Sequence, residues 1–160
     1  MTASPPEEPD DDGYADHKEK ARRRQEAQSR AGRDIGVIPD IADIKRRTRC
    51  SKSLRLFCET YNPEAFPLKW SPDHIRVIER IEEAATIGAL YAFAMPRGSG
   101  KSTICRMAAL WSLAYWHCRY TLLIGAKGEK AEGSLDAIKM YCRFLPLFRR
   151  DFPEIAHAVA

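Results

Sequence analysis

Residues 90–103 read Leu-Tyr-Ala-Phe-Ala-Met-Pro-Arg-Gly-Ser-Gly-Lys-Ser-Thr. An apolar run of strand character ends at Met95, a short glycine-containing loop follows, and helix-forming sequence rich in Ala, Leu and Met begins at Lys101. Strand, glycine loop and helix are the parts of a phosphate-binding P-loop. Successive backbone N–H groups at a helix N-terminus cup an anion, and the positive end of the helix dipole adds to the attraction. In such a loop Lys101 reaches the β- and γ-phosphates of ATP, and the Ser102 hydroxyl holds Mg²⁺. The pattern G-x-x-x-x-G-K-[ST] is not met in full, because Met95 stands in the place of the first glycine. The context of the motif carries the reading, together with the loop glycines Gly98 and Gly100.

The surrounding chain predicts an α/β fold. Residues 53–61 predict a helix in which Leu54, Phe57, Cys58 and Tyr61 share one apolar face. Residues 66–70 read as extended, and Ser71-Pro72-Asp73 then gives an N-cap, a first-turn proline and a first-turn carboxylate. Trp70 and Ile75 occupy the two positions of a hydrophobic staple. Ile75, Ile78, Ile81 and Ala85 continue a stripe to Thr86, where Gly88 ends the helix. That helix feeds a strand at 89–95. After the loop come a helix at 102–116 with Ile104, Ala108, Trp111 and Tyr115 on one face, and a nearly all-apolar strand at 120–126. A last amphipathic helix places Ala131, Leu135, Ile138 and Cys142 together and stops at Pro146. The expected architecture is a P-loop NTPase-like parallel sheet, of which this is the first βαβ unit, preceded by helical segments and a disordered N-terminal tail. The expected domains are a charged tail at 1–33, a helical lead-in at 34–70 and an incomplete ATPase domain at 71–160.

Charge is unevenly placed. Residues 1–16 carry six carboxylates and no Lys or Arg, so they are expected to be disordered. Residues 17–33 reverse the sign, with seven Lys or Arg against two Glu. Residues 18–31 are helix formers without an apolar face, which suits a solvated helix or a disordered linker better than the alternative, a basic arm on DNA. Lys45, Arg46, Arg47, Arg49, Lys52 and Arg55 form a second basic cluster, read either as a phosphate contact or as a solvated face. The five cysteines are widely spaced with no C-x-x-C, which argues against a disulfide framework or zinc site. No apolar run approaches the ~18 residues of a membrane span, and the acidic start lacks a signal-peptide core. The expected location is a reducing cytoplasm.

Residues just ahead of a P-loop strand can lie beside the adenine, which makes Trp70 and His74 candidates to stack on or hydrogen-bond the base. A staple role for Trp70 and a surface role for His74 are the alternatives. The carboxylates after Ala126 are Glu129, Glu132, Asp136, Asp151 and Glu154. None follows an apolar strand-like run, so the Mg²⁺-binding and water-orienting carboxylates of an ATPase have no obvious place. The chain is therefore expected to be the N-terminal portion of a longer protein.

Several stretches together resemble the large terminase subunit of tailed bacteriophages and prophages. They are Phe57-Cys58-Glu59 with Tyr61, Phe66-Pro67-Leu68-Lys69-Trp70-Ser71-Pro72-Asp73-His74, Ala94-Met95-Pro96-Arg97-Gly98-Ser99-Gly100-Lys101-Ser102-Thr103, Leu110-Trp111, Leu123-Ile124-Gly125-Ala126 and Asp151-Phe152-Pro153-Glu154. The form Pro-Arg-Gly-x-Gly-Lys-Ser/Thr is the most specific of these and accounts for the missing first glycine. The resemblance implies a motor ATPase that drives double-stranded DNA into a capsid, working as a ring with a portal protein and a small terminase subunit in the bacterial host cytoplasm. A nuclease domain belongs to the full-length family. Residues 96–103 would bind ATP, with Lys101 and Ser102 as phosphate and Mg²⁺ ligands. Arg97 maps onto a loop arginine proposed to act in cis on the γ-phosphate; a ground-state phosphate contact or a salt bridge is the alternative. Two other functions fit the same motif: another P-loop NTPase acting on DNA, such as a helicase or loader, or a non-hydrolysing nucleotide- or DNA-binding fragment.

Overall fold

Side chains that satisfy orphan backbone N–H groups start the first helices of the larger unit. Asp43 accepts from the Arg46 N–H to start α2 (Ile44–Cys50), Ser53 from Leu56 to start α3 (Leu54–Tyr61), and Ser71 from His74 to start α4 (Pro72–Thr86). This computed structural model describes residues 11–31 and 37–159, and the chain divides between Val37 and Ile38 into two units.

In the first unit, α1 (Asp11–Ala31) is one helix whose described side chains, 16–29, are all exposed. Helix-forming residues and the i,i+4 pairs Glu19–Arg23 at 2.9 Å and Arg22–Glu26 at 3.6 Å support it in the absence of an apolar face. Much of the expected charged tail at 1–33 is thus helical; residues 1–10 and 32–33 lie outside the described residues.

In the second unit α4 ends at Thr86 with Gly88 in the left-handed region (φ 86°), as its sequence predicts. Next come α5 (Lys101–Ala114), α6 (Gly128–Phe144), α7 (Pro146–Asp151) and α8 (Pro153–Val159), with a 3₁₀ turn at Pro63–Ala65 between α3 and α4. The predicted face of α3 is buried in full: Leu54, Phe57, Cys58 and Tyr61. Helix α5 is the centre of the core. It buries Ile104, Met107, Ala108, Ala109, Leu110, Trp111 and Ala114, and lies against α3, α4 and α6. An aromatic cluster of Phe57, Tyr61, Tyr115, Phe148 and Phe152 joins α3 to α7, with Phe148 and Phe152 stacked at 4.7 Å. On α6, Ile138 and Cys142 are buried as expected, but Leu135 is exposed.

The expected parallel sheet is absent: among the described residues there are helices and no strand. Residues 89–96 and 120–125 carry no regular secondary structure and form no ladder. A strand needs a partner for its N–H and C=O groups, and these two runs do not pair with each other. Instead Phe93 and Met95 face Leu123, Ile124 and Gly125 across a cavity. A parallel strand buried on both faces was the expectation for 120–126, yet Ile124 is 86% and Leu122 64% exposed. The βαβ reading is therefore replaced by an all-helical arrangement with two unpaired connectors. No helix among the described residues is long and apolar enough to cross a membrane.

Trp116, just past α5, has φ 58° and an exposed ring. A bulky residue in the left-handed region costs about 1–2 kcal/mol, and this ring recovers little by burial. Trp116→Gly is expected to raise the thermal midpoint by a few degrees, read by circular dichroism.

Candidate functional site

The loop between the first connector and α5 is built by two turns that require glycine. Pro96, Arg97, Gly98 and Ser99 form a turn closed by the Ser99 N–H on Pro96 O at 3.4 Å. Gly98 at its third position has φ 80°, while Arg97 keeps a negative φ, as in a type II turn. Gly100 follows at φ 76° and is the N-cap of α5. A Cβ at either glycine would meet nothing within 4 Å, so the demand for glycine is conformational and not one of space.

Because the N-cap is glycine, no side chain accepts a hydrogen bond from the first amides of α5. The first amide of the helix to find an acceptor is that of Ile104, on Gly100 O at 2.9 Å; the N–H groups of Gly100, Lys101, Ser102 and Thr103 have none among the described residues. Lys101 turns back over this end. Its Nζ donates to Met95 O and to Pro96 O, each at 3.0 Å. Ser99 Oγ also donates to Pro96 O, at 2.9 Å. An ammonium held by two loop carbonyls beside uncovered amides is a group that an anion can recruit, because a charged acceptor outcompetes neutral carbonyls. The dipole of the helix favours the same anion.

Two cavities flank the loop. The inner one, about 330 Å³, is lined by Lys101, Ser102, Cys105, Arg106, Ser134 and the facing ends of the connectors. The Nε of Arg106 is buried without a hydrogen-bond partner, the one such side-chain nitrogen or oxygen among the described residues. Leaving a buried donor of a charged group unsatisfied is costly. Gly125 closes the far wall: a Cβ there would come within 2.7 Å of Ala131 N, at the start of α6. The outer cavity, about 390 Å³, is lined by Ser71, Asp73, His74, Arg76, Arg80, Phe93, Pro96 and Ser99, among others.

The predicted site residues are partly assembled. Pro96, Gly98, Ser99, Gly100, Lys101, Ser102 and Thr103 form the loop and the first turn of α5. Arg97 is exposed at the tip and makes no hydrogen bond or ion pair, so its guanidinium can swing. His74 lines the outer cavity and also contacts the loop: its Nε2 lies 2.8 Å from Ser99 O and its Nδ1 2.6 Å from Ser71 Oγ. Trp70 lines neither cavity. Its ring packs on Phe66 at 4.9 Å, and its Nε1 donates to Glu59 Oε1 at 2.7 Å. Sequence reasoning missed Arg106 and Ser134, which belong to no motif and sit singly on their helices.

The second basic cluster splits in two. Arg46 binds Asp151 through two bonds, Nε to Oδ2 and Nη2 to Oδ1, each 2.6 Å. Arg47 donates to Asp151 O at 3.0 Å and to Glu154 Oε1 at 2.6 Å, and lies over the Phe152 ring. These two hold α2 to α7 and α8, while Lys45, Arg49, Lys52 and Arg55 remain exposed. Asp151 and Glu154 are thus committed, and no group of three or more His, Cys, Asp or Glu that could hold a metal occurs among the described residues.

No family model, no curated protein and no solved structure matches this chain.

Proposed function

We propose that residues 96–103 bind the phosphates of a nucleoside triphosphate, ATP with Mg²⁺, and that the chain is the ATP-binding portion of a phage large terminase subunit. The observation that carries the reading is Lys101, folded at 3.0 Å onto two loop carbonyls beside the uncovered amides of α5. The Pro-Arg-Gly-Ser-Gly-Lys-Ser-Thr wording of the same loop supports the family. Residues present fit the ligand: Lys101 and Ser102 line one cavity with the orphaned Arg106. Mg²⁺ usually keeps several waters and phosphate oxygens, so a single hydroxyl from Ser102 suits it. When bound, the ion neutralises charge on the β- and γ-phosphate oxygens.

Binding is the step these residues support. Asp151 and Glu154 are held by arginines, and Glu129, Glu132 and Asp136 line neither cavity. Hydrolysis, movement of double-stranded DNA, and assembly with a portal protein and small subunit as a ring in the bacterial cytoplasm belong to the whole motor. They come with the family reading.

Cysteine footprinting tests where the ligand sits. Cys105 is exposed in the inner cavity and Cys118 is half-buried, whereas Cys50, Cys58 and Cys142 are buried. Burial pushes the Cys58 thiol well up and that of Cys142 to about 11, so these two stay protonated and inert near neutral pH. Iodoacetamide is expected to label Cys105 in the folded protein, and saturating Mg·ATP should slow that labelling several-fold while leaving Cys118 unchanged. Equal labelling of Cys105 with and without nucleotide would contradict the site.

A further inference from the structure

His74 is the one side chain from outside the loop that hydrogen-bonds to it among the described residues. Ser99 O can only accept, so Nε2 carries the hydrogen and donates at 2.8 Å. In the neutral ring Nδ1 then accepts from the Ser71 hydroxyl at 2.6 Å, and Ser71 Oγ in turn accepts from the His74 backbone N–H at 3.3 Å. The N-cap of α4 and the loop are joined through a single imidazole whose tautomer is set at both ends.

This bond has a consequence for the amide that follows. A trans peptide points its C=O and N–H in opposite directions. With the Ser99 carbonyl held toward His74, the Gly100 N–H is turned away from it. That N–H adjoins the uncovered amides of Lys101, Ser102 and Thr103. Glycine populates positive and negative φ with similar ease, so without a fixed carbonyl the peptide between Ser99 and Gly100 could rotate at little cost. We propose that His74 is a positioning residue for a phosphate chain: it locks the Ser99–Gly100 peptide so that the Gly100 N–H joins the phosphate cup. The role rests on the reading of 96–103 as a phosphate loop and extends it. It differs from a base contact, because it serves any ligand with a polyphosphate chain.

Calorimetric titrations of the protein with Mg·ATP, Mg·GTP and inorganic tripolyphosphate separate the two roles. His74→Phe keeps a ring beside Trp70, which now lies 6.0 Å away edge-on, but cannot donate. It should weaken all three probes by a similar factor, roughly tenfold, the value of one hydrogen bond in the cradle. His74→Gln, whose amide can donate to Ser99 O, should recover most of the loss. The Gly100 amide resonance of the unliganded protein should shift in His74→Phe and stay near its wild-type position in His74→Gln. Unchanged affinity for all probes in His74→Phe, or a loss confined to ATP, would overturn the proposal while leaving the phosphate loop standing. No binding of any probe by the wild-type protein, or wild-type binding by Lys101→Ala, would fall on the phosphate loop itself.

Discussion

Replacing Asp151 by alanine is expected to lower the stability of the helical unit by about 3–5 kcal/mol, the cost of breaking a buried ion pair from one side. The Asp151 side chain is fully buried. Its two oxygens receive Arg46 at 2.6 Å each, and Oδ2 also accepts from the Tyr61 hydroxyl at 2.9 Å. Removing the carboxylate strands a half-buried guanidinium and a buried phenol without their acceptor, which costs more than the pair contributed. The same carboxylate holds the Arg46 guanidinium protonated, and burial followed by the bond to Asp151 pushes the Tyr61 phenol up. Helix α2 has seven residues, too few to persist alone, and this contact together with Arg47 on Glu154 pins it. Since a domain holds only about 5–15 kcal/mol in total, the loss should bring the urea midpoint down sharply. Asp151→Asn, which keeps an acceptor oxygen, should lose less. The double replacement Arg46→Met with Asp151→Leu should recover much of the deficit, because matched apolar groups leave no orphan charge. A loss under about 1 kcal/mol would place this contact with ordinary surface pairs.

The second large effect belongs to Lys101. Lys101→Ala is expected to weaken Mg·ATP binding by about ten- to a hundredfold, the range for a charge-assisted hydrogen bond. The ammonium is the one charged group that already spans the loop, from α5 to Met95 O and Pro96 O. Its removal also frees those carbonyls, which would then face an incoming phosphate. Because both bonds are to neutral carbonyls near the surface, the folded state should tolerate the change with little shift in melting temperature. Affinity and stability should therefore separate: Lys101→Ala affects binding, Asp151→Ala affects folding. Calorimetry on both variants reads this directly. A Lys101→Ala protein that binds as tightly as wild type would contradict the site.

Local signals in the sequence were legible. Ser71 caps the helix it precedes, Pro72 sits in the first turn of α4, and Gly88 ends it. The apolar face of α3 and the glycines of the loop are likewise where spacing puts them, because each depends on neighbours within one or two turns. What failed depends on partners far along the chain. The runs at 89–95 and 120–126 have the hydrophobicity of buried strands, but hydrophobicity does not contain a ladder partner, and neither run has one. Arg46 and Arg47 looked like surface charge, since the acidic groups that receive them lie more than a hundred residues away. The motif put Lys101, Ser102 and the loop glycines at a loop and the helix start after it, and there they lie. His74 was singled out for the base; its bond to Ser99 O is a contact that only the packing of α4 against α5 creates. Arg106 carried no signal at all, because a single Arg on a helix has none.

The uncovered amides before and within the first turn of α5 are proposed as the phosphate contacts. Amide chemical shifts followed during an Mg·ATP titration test this most directly. The largest perturbations should fall on Gly98, Gly100, Lys101, Ser102 and Thr103, with Arg106 Nε following at the same ligand concentration. Perturbations centred instead on the exposed basic residues of α1 or α2, or none at saturating nucleotide, would contradict it.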